Sequence, residues 1–118
     1  MKRLAIAIAL LAACKKQERA PIKQQEGPPP MPAAEIQRSQ DACKQYVEHV
    51  CACAATVPAA AEPCKLASAL PEAVRIGLEV AASPDSGPDL IQQSYTSIRK
   101  TAKECIEQTA KLPALGCP

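Results

Sequence analysis

Apolar residues in the second half of the chain recur at helical spacing, and the longest series runs from Ile91 to Leu112. Ile91, Tyr95, Ile98, Ala102, Cys105, Ile106, Thr109 and Leu112 fall at steps that place them on one stripe of an α-helix. Pro88 and Asp89 stand at its start, where proline is tolerated and a negative charge meets the helix dipole. Arg99, Lys100, Lys103 and Lys111 lie in its C-terminal half, again matching the dipole, and Pro113 and Gly116 end it.

An earlier stripe begins at Glu35. Ile36, Cys43, Tyr46, Val47, Val50, Cys51 and Ala54 share one face, with Lys44, Gln45, Glu48 and His49 on the other, and Pro58 stops the helix. Between these two, Glu62-Pro63 restarts a helix with Leu66, Ala67 and Leu70 facing inward. Pro71 breaks or kinks this segment, which continues with Val74, Leu78 and Ala81. Gly77 weakens it by about 1 kcal/mol relative to alanine. Ser83 to Pro88 is a turn cluster. No stretch alternates as a strand would, so the pattern predicts an all-α domain over residues 35–118, a bundle of about three helices with the second kinked.

Residues 14–34 show no apolar periodicity. Gln, Lys and Glu give way to Gly27-Pro28-Pro29-Pro30-Met31-Pro32, a stiff extended run that reads as a tether. Polyproline segments also serve as ligands for aromatic grooves, but a spacer role fits this position better.

Composition sharpens the picture. The chain has 2 Tyr and no Phe or Trp, so its apolar fraction is dominated by alanine and buries little surface per residue. A small domain with such a core needs staples. Six cysteines lie in the helical region, at 43, 51, 53, 64, 105 and 117, and an even count in an exported chain reads as three disulfides. Six cysteines allow fifteen pairings. If the first and last helices are antiparallel, contacting residues have a roughly constant sum of numbers. That geometry favours Cys51–Cys105 and Cys43–Cys117, leaving Cys53–Cys64 as a local bridge across the Pro58 turn. The Cys51–Cys105 closure would contribute about 4 kcal/mol through the unfolded state.

The N-terminus explains why the chain would reach an oxidising compartment. Lys2 and Arg3 precede eight apolar residues, Leu4 to Leu11, and then Ala12-Ala13-Cys14. The apolar run is too short to span a bilayer, which takes about 20 residues. Leu11-Ala12-Ala13-Cys14 resembles the lipobox of bacterial lipoproteins. The resemblance implies removal of residues 1–13 as a signal peptide and a diacylglyceryl thioether on Cys14, usually with a third, palmitate-like acyl chain on the new amino group. Two or more chains anchor stably. It also implies a place in the cell envelope: Lys15 is not the aspartate of the best-known inner-membrane retention rule, so the expected address is the outer membrane, facing the periplasm or the surface. Cleavage would remove Lys2 and Arg3 and leave 12 basic residues against 12 acidic ones. That balance argues against a nucleic-acid partner, which requires a basic patch.

Chemistry is sparse. One histidine, His49, and no glycine-framed serine leave nothing that pairs a nucleophile with a base, so no enzymatic activity and no cofactor are expected. Glu48, Glu104 and Glu107 read as solvated helix-surface carboxylates. The sharp alternative is His49-Val50-Cys51-Ala52-Cys53, which with Cys64 could bind a soft metal or exchange disulfides. On a helix, however, His49 and Cys51 point about 200° apart, and an oxidising compartment converts spare thiols to disulfides. The expected role is therefore non-catalytic: a membrane-held helical module presented to another envelope protein or to the cell wall.

Overall fold

The computed structural model describes residues 26–118. Those residues form four α-helices: α1 (Ala33–Ala54), α2 (Ala61–Ala67), α3 (Ala69–Ala82) and α4 (Pro88–Lys111). Single turns of 3-10 helix at Pro58–Ala60 and Leu112–Leu115 precede α2 and follow α4. No strand occurs among the described residues. The all-α, disulfide-stapled architecture read from the sequence is the observed one, with α2 and α3 as the two halves of the broken second helix.

Local chemistry sets the boundaries. Val57 is extended (φ −116°, ψ 106°), as a residue before proline prefers, and this ends the path of α1 ahead of Pro58. The break between α2 and α3 falls at Ser68, three residues before Pro71. A proline ring clashes with the carbonyl four residues back, here that of Ala67, the last residue of α2. Pro71 itself then sits in the first turn of α3, where a missing N–H is cheap. At the far end Gly116 adopts φ 93°, a left-handed conformation suited to glycine. Its N–H bonds the Pro113 carbonyl at 3.0 Å, and the Cys117 N–H reaches the Leu112 carbonyl at 3.1 Å. This is a Schellman closure, with Leu112 and Cys117 both buried beneath it.

The chain runs up α1, down α2 and α3, and up α4, so α1 and α4 are parallel. Contacts between them follow a constant offset in residue number. Cys43 pairs with Cys105 and Cys53 with Cys117, at separations of 62 and 64. Glu35 meets Arg99 at a separation of 64. The third disulfide, Cys51–Cys64, ties the end of α1 to α2. None of the expected pairs Cys43–Cys117, Cys51–Cys105 and Cys53–Cys64 forms. The expectation took the first and last helices as antiparallel, but a short-looped, three-segment bundle makes its first and third segments run the same way.

The core is small side chains and sulfur. Ile98, Val50, Val74, Cys43 and Cys105 are its largest fully buried members, and Cys53, Cys117, Ala60 and Ala67 complete it with Met31, Tyr46 and Leu112. Buried Ser39 and Ser94 return their hydroxyls to the carbonyls of Glu35 and Leu90, both at 2.9 Å, so they let helices approach without an unsatisfied group. Gly77 serves the same closeness. A Cβ there would lie 2.8 Å from Cγ1 of Ile98, so the residue that reads as a weak point in the helix is where α3 rests on α4.

Two expectations about individual positions change. Met31, placed in the tether, is 5% exposed and belongs to the core, so the folded unit begins ahead of residue 35 and overlaps the span assigned as spacer. Leu66 and Ile106, placed on inward stripes, are 65% and 61% exposed. Each is one residue, about 100°, from the position that is buried, Ala67 and Cys105 respectively.

Candidate functional site

Of the sequence-derived ligand set, the fold brings Cys51 and Cys64 together as a disulfide and turns Cys53 and His49 elsewhere. Cys14, the expected lipidation site, lies outside the described residues. Cys51 and Cys53 are consumed in separate disulfides with Cys64 and Cys117. The proposed ligand set His49, Cys51, Cys53 and Cys64 therefore offers no thiolate in the oxidised protein, and His49 is exposed on the outer face of α1. No group of three or more His, Cys, Asp or Glu side chains poised for a metal occurs among the described residues. No helix among them is long and apolar enough to cross a membrane.

What the fold does build is a groove of about 340 Å³ between α2 and the C-terminal half of α4. Its size follows from the small residues beneath it: Ala67 fills the α2 position against the core, where a larger side chain would close the space. The groove is lined by Tyr46 of α1, Glu62 and Leu66 of α2, Leu70 at the start of α3, and Glu104 and Gln108 of α4. Leu66 is the most exposed large aliphatic residue among those described. Covering such a side chain fully is worth about 1.5–3 kcal/mol.

The polar groups of this groove are under-used. Tyr46 is 5% exposed and its hydroxyl takes part in none of the side-chain hydrogen bonds among the described residues, yet it is not sealed from solvent, since no buried polar side-chain atom there goes without a partner. Burial, and secondarily the negative charge of Glu104, push that hydroxyl above the ordinary tyrosine range, which keeps it a proton donor. Glu104 has no ion-pair partner among the described residues, and Glu62 meets only Lys65, at 3.5 Å on the open surface. A second groove of about 350 Å³ lies between α1 and α4 beside Ile106. Its one carboxylate is already taken, since Arg99 grips Glu35 through two hydrogen bonds of 2.6 and 3.2 Å, which leaves Arg38 and Lys103 as cations on its lining. That pairing holds the Glu35 carboxyl below its ordinary range, and the hydrogen bond to Arg99 is the principal cause. The Tyr46 groove is thus a concavity that combines a donor, an unpaired carboxylate and uncovered apolar surface.

Sequence reasoning missed this groove because it placed Leu66 in the core and Glu104 on a merely solvated face. The available signal was the alternation of alanine and leucine on α2, where Ala67 rather than Leu66 sits against the bundle. Comparison with protein families, with curated proteins and with solved structures finds no match to this chain.

Proposed function

We propose that this chain is a lipid-anchored lipoprotein of the bacterial cell envelope whose helical domain is a non-catalytic interaction module. The observation that carries the reading is the parity of its cysteines. Six of the seven pair within the described residues, and the seventh, Cys14, follows the apolar run and small residues that a lipobox requires. An exported chain would oxidise the six, and acylation would occupy the one left over. The outer membrane is the expected location, with Lys15 after the modified residue. The domain's contribution is a rigid surface, because a core this poor in large side chains is held by three staples rather than by bulk.

Intact-mass analysis of the protein from its native membrane tests the reading. The expected species lacks residues 1–13, carries acyl chains on residue 14 and has no free thiol in denaturant. Cys14→Ser should release the protein to the soluble fraction with its disulfides intact. An unacylated residue 14 would overturn the anchor, and two or more free thiols would return the metal or redox reading of His49, Cys51, Cys53 and Cys64.

A further inference from the structure

We propose that the Tyr46 groove docks an extended segment of a partner protein in which an aliphatic residue is followed by lysine or arginine. The inference rests on the reading of the domain as an interaction module and names the chemistry of its partner. Leu66, Leu70 and Ala67 offer an apolar slot for the aliphatic side chain, and about 340 Å³ suits a short segment rather than a helix. The Glu104 and Glu62 carboxylates, the Gln108 amide and the Tyr46 hydroxyl line the same groove. Glu62 and Glu104 are the charged residues of this lining and both are acidic, so a cation next to the anchored side chain is favoured, chiefly by Glu104 because Glu62 already meets Lys65. The Tyr46 donor and Gln108 amide can engage the segment's backbone.

The same charges disfavour other occupants. Anionic lipid headgroups would face Glu62 and Glu104, the wrong sign for a membrane surface. A two-fold pairing of copies over this groove would bring the same carboxylates of both chains together, since a two-fold interface presents one patch to itself. The chain's own Pro21-Ile22-Lys23 carries the aliphatic-then-basic pattern, and the experiment separates it from a partner.

The test uses the oxidised mature chain bearing Cys14→Ser, whose core lies within residues 31–117, labelled with ¹⁵N and titrated with two blocked peptides, acetyl-Ala-Leu-Lys-Ala-amide and acetyl-Ala-Leu-Glu-Ala-amide. The lysine peptide should shift amides of residues 62–70 and 104–108 saturably, with a Kd of about 1 mM. The glutamate peptide should bind about fivefold more weakly, given the modest strength of exposed charge pairs. Glu104→Lys should reverse that preference, and Leu66→Asp should abolish binding of both; both positions are exposed, so the fold is retained. Absence of a saturable shift, equal affinity for the two peptides, or shifts centred on Ile76 or Ile106 would overturn the proposal. So would groove resonances that move on Ile22→Asp alone, which would make the occupant the chain itself. Acylation of residue 14 is read separately by mass, so failure of either idea leaves the other standing.

Discussion

The pair formed by α1 and α4 and the returning arm formed by α2 and α3 are built on different principles. Two disulfides with their sulfur-bearing residues in the core join α1 to α4 and to the turn that follows it: Cys43 and Cys105 are wholly buried and Cys53 and Cys117 nearly so. The Glu35–Arg99 pair adds a polar clasp at the N-terminal end. The arm is held instead by close approach and by one partly exposed disulfide, Cys51–Cys64. α2 spans 7 residues, too few for an independent helix, and buries only Ala67. A chain without phenylalanine or tryptophan has thus placed covalent bonds where it has no rings, and the arm with the single disulfide lines the groove.

The largest test of that contrast removes a long-range staple. Replacing both Cys43 and Cys105 by alanine should cost about 4 kcal/mol through the unfolded state alone, read as a fall in denaturant midpoint. Loss of the whole bundle is expected, not of one helix. Replacing Cys51 and Cys64 should cost about 3 kcal/mol, because a shorter loop is opened. Here amide exchange should rise in α2 while α1 and α4 stay protected. Graded reduction by a small dithiol, followed by alkylation and mapping, should label Cys51 and Cys64 before the other four. Labelling of Cys43 or Cys105 first would erase the distinction between the two regions.

Smaller effects sharpen the contact between them. Gly77→Ala gains helix propensity but drives a methyl group against Ile98, which is fully buried and cannot move aside freely. A net destabilisation of about 1–2 kcal/mol is expected in thermal or chemical unfolding, opposite to the propensity scale. The least effect concerns acidity. The Glu35 carboxyl lies below its ordinary value in the folded chain, so the unfolded chain binds protons more readily. Its stabilisation is therefore full above about pH 4.5 and fades as pH falls through the lowered folded value. Midpoints measured at neutral and at acid pH should fall more in the parent protein than in Glu35→Gln. An equal fall would remove the clasp from the account.

Helix starts and stops were legible because they are local. Pro58, Pro71, Pro88, Pro113 and Gly116 each act on a carbonyl or N–H within a few residues, and each lies at an element boundary or within three residues of one. The cysteine pairing was not legible, because it depends on the direction in which α1 and α4 run past each other. That direction is a property of the whole path: with α2 and α3 forming one returning arm the outer helices run parallel, a consequence of the three-segment bundle that the antiparallel assumption left out, and Cys43 meets Cys105 rather than Cys117. The groove was hidden for a finer reason. A stripe read from spacing is wider than the face that is covered, and Leu66 and Ile106 fall on its uncovered margin. Met31 was hidden by its prolines, since an extended run gives no periodic sign that one side chain turns inward.

The parallel course of the two long helices has a mechanical corollary. The polypeptide comes in beside the first turn of α1 and leaves at Cys117, next to the last turn of that same helix, so its two ends emerge at opposite poles. Tension applied between them passes through residues 43–53 and 105–117 by way of two sulfur bridges. The stretch between, including α2 and α3, carries none of it. A domain pulled this way would lengthen by little more than one unwound helix, and a reporter fused after Pro118 would stand on the far side from the incoming strand.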